Sequence, residues 1–175
     1  GYDQSNASAM MAQWIVDDAN GEDVNVVVLE GMPGIHAYSR MEGFTSVTDQ
    51  HDNIHIVADE YTDDWSVDEA MKNAENILAM NEDVDYIWTE YDELSIGVYT
   101  VVKQLGREDE IKILGFEHIP EAHESIKLNE MWATVDNGQK EMGRLVMSAI
   151  NDYVLNGKDV DKVIVVPSTV YDRTN

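Results

Sequence analysis

The sequence predicts an α/β protein: a doubly wound parallel sheet of about five to six strands with helices on both faces. Short apolar runs of strand length recur along the chain. Stretches with helical periodicity separate them at the spacing of βαβ units. Local helix start and stop signals fall where those stretches begin and end.

The elements follow in order. A helix over Ser5–Asp18 precedes the first strand, Val24–Leu29. The stretch LEGMPGIHAYSRMEGF then carries Gly31 and Gly34 in a loop and opens a helix over Ala37–Gln50. The second strand is Ile54–Ala58. Ser66 and Glu69 form a capping box at the start of the next helix, Val67–Met80. The run Asn81-Glu82-Asp83-Val84-Asp85 has the look of a calcium loop without its sixth-position glycine, and reads better as a solvated turn. Strand Tyr86–Thr89, helix Glu93–Gln104 and strand Ile111–Phe116 follow. Pro120 suits the first turn of a helix over Pro120–Leu128. Strand Trp132–Val135 leads to a long helix, Gln139–Leu155. There Met142, Leu145, Val146, Ala149, Ile150 and Tyr153 make one broad apolar face, and Gly157 suits its stop. Val163–Val166 reads as the sixth strand.

Composition narrows the function. The 175 residues include 35 acidic and 11 basic side chains, a formal net charge of -24. Phosphate backbones need clustered Lys and Arg, so nucleic acid is excluded as a partner, and an anionic membrane surface is disfavoured. The acids are spread along the chain, which fits a solvated surface suited to high salt. There is no cysteine, hence no disulfide and no thiolate metal site. No run is long and apolar enough to span a bilayer, and none reads as a signal peptide. The chain begins without Met, GYDQSNAS, which leaves processing open.

In an open parallel sheet, ligands sit outside the carboxyl ends of the strands. His36 and Arg40 follow the first strand; Glu60, Tyr61 and Trp65 the second; Glu90, Tyr91 and Asp92 the third; Glu117 and His118 the fourth; Asp136 and Asn137 the fifth. Carboxylates, an amide and an arginine bond hydroxyls, and aromatic faces pack on sugar C–H groups, so the set suits a sugar or polyol. GMPGIH is neither a G-x-G-x-x-G element nor a P-loop, and its acidic neighbours repel phosphate. Taken singly, each residue also has an ordinary role: the glycines as turn residues, Arg40 as a surface ion-pair partner, Trp65 as core, the histidines as surface groups. No nucleophile, base and orienting group come together, so no enzyme is expected, and no cofactor or metal.

Several segments together resemble the ribose-type periplasmic sugar-binding proteins, the type I solute receptors of ABC importers. They are YDQSNASAMMAQWI, VVVLEGMPGIHAYSRMEGF, YTDDW, TEYDELSIGV, KILGFEHIPEAHESI, WATVDNGQKEMGRLVMSAI and VVPSTVYDRTN. The R-x-x-G-F and D-E-x-x-x-G elements with L-G-F-E carry the likeness. It implies a fold of two similar α/β lobes that close on ligand, of which this chain matches the second. Residues 1–138 would be the ligand-binding C-terminal lobe. Residues 139–158 would be a crossover helix packing on an N-terminal lobe, and 159–175 the last strand and tail. The resemblance places Arg40 at the family's ligand-binding arginine and Trp65 at a stacking aromatic. It places Phe116 and Glu117 at the usual Phe-Asp and Asn137 at the crossover amide. Tyr91 stands where Asn is typical, which argues against ribose itself.

The resemblance further implies an extracytoplasmic receptor with an ABC permease as partner and no membrane insertion. The apolar face of Gln139–Leu155 would meet the N-terminal lobe or a second copy. The effector-binding domain of a LacI-type transcriptional regulator shares the fold and is the alternative reading; it requires a helix-turn-helix. Two expectations attach to the opening loop: its glycines let backbone approach the cleft, and Arg40→Ala weakens binding while leaving the fold intact.

Overall fold

A computed structural model describes every residue but Glu82 and Asn175. The calcium-loop-like turn therefore lies partly outside the described residues. The chain runs α1 (Gln4–Ala19), β1 (Val24–Glu30), α2 (Ile35–Thr48), β2 (Ile54–Tyr61) and a 3-10 turn (Asp63–Trp65). It continues as α3 (Val67–Met80), β3 (Tyr86–Thr89), α4 (Asp92–Gln104), β4 (Lys112–Phe116) and α5 (Pro120–Lys127). β5 (Ala133–Asp136), α6 (Gln139–Ile150, extended by a π-helical turn, Asn151–Leu155) and β6 (Thr169–Asp172) complete it. The six strands form one sheet in the order β2-β1-β3-β4-β5-β6, parallel except for β6.

Strand alternation divides the core. Val24, Val26 and Val28 of β1 pack with Ala7, Met11, Ile15 and Phe44 of α1 and α2, where the Phe44 ring stacks on Trp88 at 4.2 Å. Val27 and Leu29 face the opposite way, onto Ala70, Ala74, Leu94, Val98 and Ile126 of α3, α4 and α5. Both faces of β1 are thus covered, which is why it is apolar almost throughout. The two layers of helices confirm the doubly wound arrangement. α1 and α2 approach so closely that a Cβ on Gly43 would sit 1.9 Å from the Ser5 carbonyl oxygen.

Helix signals were mostly sound. Ser66 Oγ accepts from Glu69 N at 3.3 Å, but Glu69 accepts from the amide of Asp63 at 2.5 Å rather than completing the box on Ser66. Asp3 caps α1, accepting from Asn6 N at 3.0 Å.

The sixth strand is a correction. Val163–Val166 forms no strand; β6 is Thr169–Asp172, antiparallel to β5. Val163 and Val165 are 76% and 61% exposed, so their apolar character reflects no sheet face in this chain. What decides the strand is the open edge of β5, whose Ala133–Asp136 ladder Thr169–Asp172 completes. The Val163–Val166 stretch pairs instead with the first residue: Gly1 N donates to Ile164 O, and Val166 N to Gly1 O. α6 has no buried residue, and Met147, Ile150 and Tyr153 on it are exposed.

Candidate functional site

The strand order steps from β1 outward in both directions, to β2 and to β3, so a crevice opens beyond their carboxyl ends. It is a cleft of about 520 Å3 lined by Tyr2, Gln4, His36, Arg40, Trp65, Tyr91 and Glu117.

Arg40 sits at its floor, on α2, 4% exposed. Its Nε donates to Gln4 Oε1 at 2.9 Å, Nη2 to the Tyr2 hydroxyl at 3.0 Å and to Glu117 Oε1 at 3.1 Å, and Nη1 to the Glu90 carbonyl. The guanidinium lies 4.2 Å from the Phe116 ring centroid and 5.4 Å from that of Trp65. Ring faces and a carboxylate together stabilise a charge that burial would otherwise penalise.

Trp65 reaches the cleft from the turn after β2, where Asp64 and Trp65 both have positive φ, 53° and 54°. Its indole occupies the space above Gly31, whose Cβ would be 2.0 Å from the ring. This corrects the expected role of the loop glycines. Gly31 makes room for an aromatic side chain, while Gly34, with φ 168°, is simply extended. Tyr91 meets Trp65 edge to face, centroids 6.0 Å apart, and the two rings make an aromatic corner.

Glu117 follows β4 at φ 109°, with His118 next at φ 57°. Two successive side-chain-bearing residues in that region cost about 1–3 kcal/mol each. Three bonds hold the turn: Glu117 N to Val135 O, His118 N to Thr134 Oγ1, and Ile119 N to Asp92 Oδ2. Asp92 is fully buried and also accepts from Thr134 Oγ1 at 2.6 Å. Burial pushes its carboxyl up to about 7 despite those donors.

Two further carboxyls are buried near the strand ends, Glu90 just after β3 and Glu30 closing β1. Glu90 is fully buried, accepts from Gly31 N at 2.8 Å through Oε2, and leaves Oε1 without a partner. Glu30, 3% exposed, likewise leaves Oε2 unpartnered. Burial, the larger cause in both, raises Glu90 to about 8 and Glu30 to about 7; Asp59 adds to the latter.

Of the residues expected at the site, His36, Arg40, Trp65, Tyr91 and Glu117 line this one cleft. Phe116 is fully buried beneath Arg40, with its ring 6.2 Å from that of Tyr2; it supports the floor and presents no surface. Asn137, 1% exposed with Oδ1 unpartnered, borders an adjoining groove that α6 lines through Gln139, Met142 and Val146. His118 turns away, bonding Asp136 and His123 and stacking on Tyr171. Tyr2 and Gln4, which also line the cleft, were not picked out from the sequence. Glu90 follows β3 and fitted the strand-end rule, whereas Tyr2 lies just before α1 and Gln4 opens it, so neither follows a strand. Among the described residues no group of three or more His, Asp or Glu is arranged to hold a metal ion.

An arginine, a carboxylate and two aromatic rings thus gather at the switch point of this open sheet, a set of groups able to hold a small polar molecule. The family model described as "Periplasmic binding protein domain" matches residues 1–159, and the chain belongs to that family. It is 30% identical to the ribose import binding protein RbsB of Bacillus subtilis, over 90% of this chain and 50% of that protein. It is 27% identical to the D-allose-binding periplasmic protein of Escherichia coli, over 89% and 50%. A solute-binding protein of an ABC transporter from Actinobacillus succinogenes, solved with bound D-allose, superposes with a TM-score of 0.91 at 26% identity, covering 99% of this chain and 60% of that one. The chain thus spans about half the length of the curated relatives it matches.

Proposed function

We propose that this chain is the ligand-binding lobe of a receptor that delivers a sugar or polyol to an ABC importer outside the cytoplasm. It binds and releases its ligand and performs no chemistry on it. The observation that carries this reading is the convergence of Arg40, Glu117, Trp65 and Tyr91, from four different strand ends, on one cleft. Arg40 and Glu117 offset each other in charge, so the site favours a neutral, hydroxyl-rich ligand over an anion. The aromatic corner supplies the apolar faces on which sugar C–H groups pack. Relatives with this fold are import binding proteins, which favours a receptor over a regulator or an enzyme.

The other wall of the cleft comes from a second lobe. In this reading residues 1–138 form the binding lobe, 139–158 pack on its companion, and 159–175 return as the edge strand and tail. The apolar exposed face of α6 supports the assignment. No helix among the described residues is long and apolar enough to cross a membrane.

The test is thermal shift of the protein that carries this chain against D-ribose, D-allose, myo-inositol and nucleotide controls. A rise in Tm with at least one neutral polyhydroxy compound and none with the nucleotides is expected. No shift across pentoses, hexoses and polyols would overturn the reading.

A further inference from the structure

We infer that Gln4 is a positioning residue that couples Arg40 to His36 and sets which ring nitrogen of His36 carries the proton.

The argument rests on what each group is able to do. Arg40 Nε only donates, and its partner is Gln4 Oε1 at 2.9 Å. The amide oxygen of Gln4 therefore faces Arg40, and its NH2 group faces the other way. That NH2 meets His36 Nδ1. An amide NH2 only donates, so Nδ1 is the acceptor and carries no proton. A neutral imidazole has one N–H, which then lies on Nε2. Among the described residues His36 Nε2 has no protein partner, and His36 lines the cleft beside Arg40. The relay thus offers an N–H donor at the cleft wall, a short step from the arginine.

Only an amide closes this relay. A carboxylate in place of Gln4 accepts on both sides and requires a proton on His36 Nδ1. Turning the Gln4 amide over sets its NH2 against Arg40 Nε–H. A leucine leaves Arg40 Nε and His36 Nδ1 without their partner. Gln4 reaches both because α1 begins against α2, at the contact where Gly43 meets Ser5.

The ligand consequence rests on the proposed function: an oxygen acceptor on the sugar or polyol faces His36, and Gln4 determines that preference. The test is nitrogen-15 NMR of the histidine side chains at pH 8 in the ligand-free protein. His36 is assigned by the signals lost in His36→Gln. Wild type should show Nδ1 unprotonated and Nε2 protonated, and Gln4→Glu, which is isosteric, should show Nδ1 protonated. A wild-type proton on Nδ1, or an unchanged pattern in Gln4→Glu, overturns the inference. The second arm is a D-allose titration, in which Gln4→Leu should weaken binding by about tenfold. If no sugar binds wild type, the functional reading falls while the tautomer test stands. If D-allose binds and the tautomer is the other one, this inference alone falls.

Discussion

The indole of Trp65 stands where a side chain on Gly31 would have to go, with only 2.0 Å between that Cβ and the ring. Two loops from neighbouring strands interlock through this absence, and it places the aromatic wall of the cleft. Gly31→Ala should drive the ring out. Ligand affinity should fall at least tenfold, with a change in tryptophan emission and a stability loss of about 1–3 kcal/mol from overpacking. Retained affinity would show that Trp65 does not contact ligand.

Arg40 ties α1, α2, β3 and β4 together through Gln4, Tyr2, Glu90 and Glu117. Arg40→Ala should therefore weaken binding and also destabilise the fold, by about 3–5 kcal/mol for a broken buried charge pair. This revises the expectation that the fold would be untouched. Arg40→Lys keeps the charge but not the planar fork, and should bind at least tenfold more weakly. Urea titration and ligand titration of both variants separate the two effects. Full stability in Arg40→Ala would contradict the bonding described here.

Buried carboxyls set a pH dependence. Glu30, Glu90 and Asp92 titrate near 7, 8 and 7 in the folded state, against about 4 when unfolded. Between those values the folded protein holds protons that the unfolded chain has released. Their contribution to stability is full below about pH 4 and is lost as pH rises through about 8. Urea midpoints in buffered high salt, which screens general self-repulsion, should fall from pH 5 to pH 9. Glu90→Gln should flatten that slope and be more stable than wild type at pH 9. A slope unchanged in Glu90→Gln would remove this carboxyl from the account.

With a net charge of -24, the folded chain repels itself. Melting temperature should climb by several degrees between 0.05 and 2 M KCl as the Debye length shrinks from about 14 Å to a few ångströms. A flat profile would leave the acidity without a role in salt tolerance.

The strand-to-helix punctuation was legible because it is local. Apolar run length, the capping serine and Pro120 act within a few residues, and helix and strand ends fell within a few positions for every element before the sixth strand. The strand-end rule also listed Arg40, Trp65, Tyr91 and Glu117, which share one cleft, since parallel strands must end on one edge. The family resemblance set Phe116 beside Glu117, although Phe116, the last residue of β4, lies under the floor and Glu117, in the turn that follows, lines the cleft. Tyr2 and Gln4 were invisible to the strand-end rule because they come from a helix start that only packing on α2 brings to the site.

What the sequence by itself determined is the α/β class, the order of the elements and the chemistry available at one sheet edge. Those follow from periodicity and from which residues trail each strand. Tertiary structure alone decided that Thr169–Asp172, and not Val163–Val166, closes the sheet, because an open ladder at β5 selects its partner by reach rather than by hydrophobicity. It also decided that the arginine of LEGMPGIHAYSRMEGF is buried between two rings and bonded to four neighbours. Those partners lie 36 to 77 residues away along the chain, and no local rule spans that distance.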